Sequence, residues 1–121
     1  MNNKFYVSYE AARLLKEKGY NEKVEKAYAT MNDGKAIKVL QVVHNNKELP
    51  ELCYSCPTKA EAIDWLESKG LIIVTELYFS RGKWSARIQR KDSWAYVALG
   101  EYYLTRLQAE EAAIIKACEL L

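Results

Sequence analysis

Pro57-Thr58-Lys59-Ala60-Glu61-Ala62-Ile63-Asp64-Trp65-Leu66-Glu67-Ser68-Lys69-Gly70, continuing into Leu71-Ile72-Ile73-Val74-Thr75-Glu76-Leu77-Tyr78-Phe79, decides the fold class. Thr58 and Glu61 have the spacing of a capping box, in which the Thr hydroxyl accepts from the Glu61 amide and the Glu carboxylate reaches back. Ala62, Ile63, Trp65 and Leu66 then form an apolar stripe, with Lys59, Asp64, Glu67 and Ser68 expected on the opposite side. Gly70 supplies a left-handed cap, and Lys69 sits where the helix dipole favours a cation. The run from Leu71 to Phe79 is apolar on both faces and reads as an interior strand. A helix and a strand joined by one glycine must pack together.

Downstream, Ser80-Arg81-Gly82-Lys83 is a turn into Trp84–Arg90. There Trp84, Ala86 and Ile88 alternate with Ser85, Arg87 and Gln89, the pattern of a strand nearer an edge. Trp94 to Leu99 reads as a further strand broken at Gly100, because Tyr, Val and Trp favour strands; helix from Ser93 onward is the alternative. Thr105 with Gln108 repeats the capping spacing, so a last helix starts near Arg106 and turns Leu107, Ala112, Ile114, Ile115, Cys118 and Leu121 inward.

Upstream, Ser8 is an N-cap for a helix with Ala11, Ala12, Leu14 and Leu15 inside and Glu10, Arg13, Lys16 and Glu17 outside. Gly19 ends that helix, and Tyr20 is placed to fold back over its last turn. Asn21 to Lys26 reads as a surface connection. Ala27–Met31 and Ala36–Val43, separated by Asn32-Asp33-Gly34-Lys35, read as a hairpin, since Asp-Gly tolerates the positive φ of a tight turn. His44 to Pro57, with two prolines, reads as a polar loop. The order α-β-β-α-β-β-(β)-α gives one α+β domain over residues 1–121, with helices packed on an antiparallel sheet.

The 121 residues are half hydrophobic and 28% charged, with a net charge of +2. No apolar run approaches the ~20 residues needed to span a bilayer, so no membrane association is expected. Nor does a charged leader precede an apolar stretch, and three cysteines read as thiols of a reducing compartment. The expected location is the cytoplasm.

Tyr6-Val7-Ser8-Tyr9-Glu10-Ala11-Ala12-Arg13-Leu14-Leu15-Lys16-Glu17-Lys18-Gly19-Tyr20-Asn21-Glu22, then Pro57-Thr58 with Ala62 and Trp65-Leu66, and a closing helix rich in Glu-Ala-Ala, carry a resemblance. Together they resemble a set of uncharacterised small proteins encoded by phages, prophages and conjugative elements of gut bacteria. The resemblance spans about half the chain. It implies a mobile-element origin and transfers no catalytic residue. Val7 to Leu15 is also similar to the first helix of excisionase-type winged helix-turn-helix proteins. Those place a recognition helix directly afterwards, whereas here charged residues and β signals follow Gly19.

Two patterns carry possible chemistry. Cys53-Tyr54-Ser55-Cys56 has the spacing of a redox pair or half a zinc site, but it lies in a Pro-containing loop, and only His44 and Cys118 remain as further ligands. Arg81, Lys83, Arg87, Arg90 and Lys91, interleaved with Tyr78, Trp84 and Trp94, form a basic ribbon that can meet phosphates while aromatics stack on bases. Against that, Trp84 shares a face with Ala86 and Ile88, and edge-strand cations guard against sheet-to-sheet pairing. His44, flanked by asparagine, reads as a surface residue. Tyr102 and Tyr103, if exposed, suit a protein interface. The expectation is a non-enzymatic binding protein needing no cofactor or metal, whose partner is a protein or a second copy of itself. Nucleic-acid binding by the ribbon is the alternative, and a Cys-x-x-Cys metal or redox protein the third reading.

Overall fold

A computed structural model describes residues 3–31 and 36–121. They form an α+β protein of three α-helices and two antiparallel three-stranded sheets. The chain divides into two compact units, Met1–Thr58 and Lys59–Leu121.

In the first unit, helix α1 (Tyr9–Glu17) starts as its sequence dictates, with the Ser8 hydroxyl accepting from the Ala11 amide. Its end is a Schellman motif. Gly19, at φ 98°, donates to the Lys16 carbonyl, and Tyr20 donates to that of Leu15. Tyr20 is thereby folded back and buried. Strand β1 (Val24–Met31) pairs with β2 (Ala36–His44), giving the expected hairpin strands; the Asn32–Lys35 turn lies outside the described residues. β1 begins three residues before the expected boundary. Val24 and Lys26 are buried in what reads as a surface connection, because Lys26 lays its stem inward and sets its ammonium 4.0 Å from the centre of the Tyr6 ring.

The loop expected over residues 44–57 is replaced by structure. His44 is buried as the last residue of β2, Asn46–Glu48 form a 3-10 turn, and β3 (Cys53–Ser55) adds to the free side of β1. Three residues between prolines are too few for a periodic signal, so only the partner strand defines them. Buried Asn46 holds this region: its amide donates to the Tyr20 carbonyl at 2.7 Å, and its carbonyl oxygen accepts from the Ser55 amide at 2.9 Å. Lys16, expected to be solvated, is half-buried and donates to the carbonyls of Pro50 and Cys53.

In the second unit, α2 (Lys59–Ser68) starts directly after Thr58 and buries Ala62, Trp65 and Leu66. Lys59 is buried too, contrary to its place on the polar side of the pattern. Gly70, at φ 91°, turns the chain directly into β4 (Leu71–Tyr78). β4 pairs with β5 (Lys83–Arg90), and β5 pairs with β6 (Tyr96–Ala98), in the order β4-β5-β6. The expected ranking of the first two is reversed: β5 is central and β4 lies at the edge. β5 alternates despite its central place because helices cover only one side of this sheet. Its inner residues are those expected, with Ala86 and Ile88 buried and Trp84 half-buried. Trp94 to Leu99 does contain a strand, but only over Tyr96–Ala98.

Helix α3 (Arg106–Leu120) carries the complete Thr105–Gln108 capping box. Its buried residues are Ala109, Ala113, Ile114, Ala117 and Cys118. Ile114 and Cys118 match the expected apolar face, whereas the alanines Ala109 and Ala113 take the place of larger residues against Ala86, with Ile73, Trp84, Leu99 and Tyr103 packed around them. Small side chains let the helix approach the sheet closely.

Thr105→Ala is expected to cost about 1 kcal/mol, the usual value of an N-cap, in urea unfolding. Adding Gln108→Ala should cost less than the sum of the two single changes, because both residues serve one box. Strict additivity would show that the two halves act separately.

Candidate functional site

β4 and β5 run in unshifted antiparallel register from Leu71 opposite Arg90 to Tyr78 opposite Lys83. Side chains alternate along a strand, so one face of the sheet is fixed as that of Ile73, Trp84, Ala86 and Ile88, against α2 and α3. The other face carries Val74, Glu76 and Tyr78 from β4, Ser85, Arg87 and Gln89 from β5, and Tyr96 and Ala98 from β6. Helices leave it open. It forms a shallow trough of about 560 Å³, walled by Trp94 and by Gly100-Glu101-Tyr102.

Aromatic rings dominate that trough. Trp94 is 96% exposed, Tyr96 61%, Tyr78 45% and Tyr102 39%. Tyr78 and Tyr102 meet edge to face with centroids 5.2 Å apart, and the Arg81 guanidinium lies 5.0 Å from the Tyr102 ring centre. Arg87 is ion-paired with Glu76 across the two strands. The Gln89 amide donates to the carbonyls of Arg90, Ser93 and Ala95 at 3.2, 3.0 and 3.2 Å. It therefore clasps the turn that carries Trp94, and the exposed indole is mounted on a braced loop.

The five cations of the basic ribbon do not share one surface. Lys83 and Arg87 have the strand parity of the trough, and Arg90 has the opposite parity. Arg81 sits in the β4–β5 turn against Tyr102, and Lys91 follows β5 with its amide donating to the Gly70 carbonyl. Trp84, as its spacing implies, packs with the helix-facing cluster. The two tyrosines preceding α3 part company: Tyr102 walls the trough, while Tyr103 pairs with Trp84 and packs against Ala86 and the α3 alanines. The Tyr103 hydroxyl reaches Glu101 at 3.5 Å. Burial, then the Glu101 charge and this hydrogen bond, raise its pKa above the ordinary tyrosine value.

Cys53 and Cys56 lie on extended chain, in and just after β3, and not at a helix start. Positions three apart on such a backbone point to opposite sides. The Cys56 thiol is buried and donates to the Val7 carbonyl at 3.6 Å; all three cysteines are outside disulfides. Sequence reasoning picked out the cations of the second sheet and missed its open face. The signal was present in Val74, Glu76 and Tyr78 beside Ser85, Arg87 and Gln89, but it becomes a face only once β6 is known to flank β5.

Gln89→Ala should release the 93–95 turn and speed tryptic cleavage after Arg90 and Lys91 several-fold, followed by mass spectrometry; an unchanged rate would show that the turn holds without its clasp. Glu101→Gln should lower the Tyr103 pKa part of the way to the ordinary value, burial supplying the remainder. NMR titration of ring-labelled tyrosine reads the shift, and an unmoved curve would remove Glu101 as a cause. Comparison with protein-family models, with curated proteins and with solved structures gives no match for this chain.

Proposed function

We propose that this chain is a non-enzymatic binding protein of the cytoplasm, and that it holds a partner polypeptide on the open face of β4-β5-β6. The observation that carries this reading is the aromatic lining of one open sheet surface, with the braced, 96% exposed Trp94 and Tyr96 towards one end and the Tyr78–Tyr102 pair at the other. Protein interfaces are enriched in tyrosine, tryptophan and arginine, and a few rigid aromatic anchors supply most of their energy. The charges agree with a neutral, amphipathic ligand. Glu76 and Arg87 neutralise one another, and Arg81 is engaged by Tyr102, so the trough offers rings and amides more than an uncompensated field. A phosphate backbone would need several free cations on the same face. The resemblance to mobile-element proteins fits an accessory factor that acts on a host or phage protein.

Selection of a phage-displayed library of random linear peptides on the intact chain tests the assignment. Enriched peptides should bind with affinities weakened about tenfold or more by Trp94→Ala or Tyr96→Ala, the loss typical of an aromatic anchor. Leu52→Ala, at an exposed apolar residue of the first unit, should leave them unchanged. Failure to enrich any peptide, or binding indifferent to both aromatic changes, would overturn it. Salt-sensitive binding of a single-stranded oligothymidylate, lost in Trp94→Ala, would give the face to nucleic acid instead.

A further inference from the structure

We propose that the outer edge of β4 pairs with β4 of a second copy of this chain, joining two three-stranded sheets into one of six strands. The argument starts from hydrogen-bond phase. The Lys91 amide donates to the Gly70 carbonyl, and antiparallel pairs alternate between bonded and non-bonded. Ile72, Val74, Glu76 and Tyr78 therefore bond to β5. On the other side of β5, the bonds from Arg90 to Ala95 and from Leu99 to Ala86 have the opposite phase, as this requires. The amides and carbonyls of Leu71, Ile73, Thr75 and Leu77 consequently point away from the sheet, and no described strand pairs with that side of β4.

Leu71, only 2% exposed, is covered at the start of this edge, and the remaining seven residues, Ile72–Tyr78, are a long edge to leave without protection. Proteins blunt such edges with lysine, proline, bulges or very short strands. β4 has none of these: its sequence is Leu-Ile-Ile-Val-Thr-Glu-Leu-Tyr, and its register with β5 is unshifted. The opposite edge strand, β6, is only three residues long. Glu76 is the sole charge of β4, and it is already paired with Arg87 in its own sheet.

The strand is also complementary to itself. A two-fold axis at Val74 sets Leu71 opposite Leu77, Ile73 opposite Thr75 and Ile72 opposite Glu76 of the other copy. Every outward-pointing residue then faces another outward-pointing residue, and no charge faces a like charge. This bonding is independent of the trough, whose side chains project at right angles to the strand edge.

Sedimentation equilibrium of the intact chain at about 100 μM should give twice the 13.9 kDa chain mass, with micromolar self-association expected for edge pairing without a large apolar core. Val74→Lys places two ammonium groups opposite each other on the axis and should weaken the dimer about tenfold or more. Val74→Glu should do the same, and an equimolar mixture of the two variants should reassociate. Thr75→Pro removes an outward amide without touching the β5 ladder, and should also dissociate the dimer. A monomeric wild type at that concentration would overturn the pairing. So would a dimer insensitive to Val74→Lys and Thr75→Pro, a mixture that fails to reassociate, or a dimer that Trp94→Ala disperses.

Discussion

The hydrogen-bond phase of β5 is the constraint on which the second unit depends. Once Lys91 bonds to Gly70 and the β4–β5 register runs unshifted, alternation leaves no freedom. Trp84, Ala86 and Ile88 must meet the helices, while Ser85, Arg87 and Gln89 must face away. A slip of one residue would send Arg87 into the alanine face of α3 and Trp84 into solvent, so burial of an apolar face enforces the register. The open trough is thus a by-product of helix packing. Its aromatic content is not, because solvent-facing strand positions do not require Tyr78 and Tyr96, nor does a turn require Trp94.

The two units solve the problem of a small core differently. The second packs apolar surface closely, bringing α3 down on the sheet through Ala109 and Ala113. The first ties its elements together through side-chain hydrogen bonds to backbone groups. Asn46 ties the end of α1 to β3, Lys16 ties α1 to the carbonyls before and within β3, and the Tyr28 hydroxyl donates to the Val7 carbonyl at 2.7 Å. Each bond contributes only about 1 kcal/mol net. Their weight lies in what an unmade one costs, since a buried amide left without its partner loses the full desolvation penalty.

What could be read from the sequence was local. Ser8, Gly19, Tyr20 and the Thr105–Gln108 box announce helix ends because capping involves residues within three or four positions of each other. Trp84, Ala86 and Ile88 announce a face because a strand repeats every two residues. The unread parts were settled at a distance: β3 exists through its pairing with β1, and the edge position of β4 through β6 joining the far side of β5. Apolar residues on both faces of β4 mark an interior strand only where both faces are covered, and here one is not. Lys26 and Lys59 show the same limit on single side chains. A lysine stem buries as readily as an aliphatic one when the ammonium finds a partner, and the Tyr6 ring that serves Lys26 lies twenty residues away.

A strand offers two surfaces that do not compete. Side chains project above and below the sheet, and peptide groups project within it. Covering the outer edge of β4 would therefore leave Val74, Glu76 and Tyr78 in place and would extend the trough across the seam into that of the second copy. Trp94 stands in the turn from β5 to β6, at the end of the sheet where Leu71 pairs with Arg90, so edge pairing about Val74 would set two such indoles at opposite ends of a six-stranded face. The absence of lysine and proline from β4 then has a physical reading: such residues blunt an edge, and an edge meant for pairing cannot carry them.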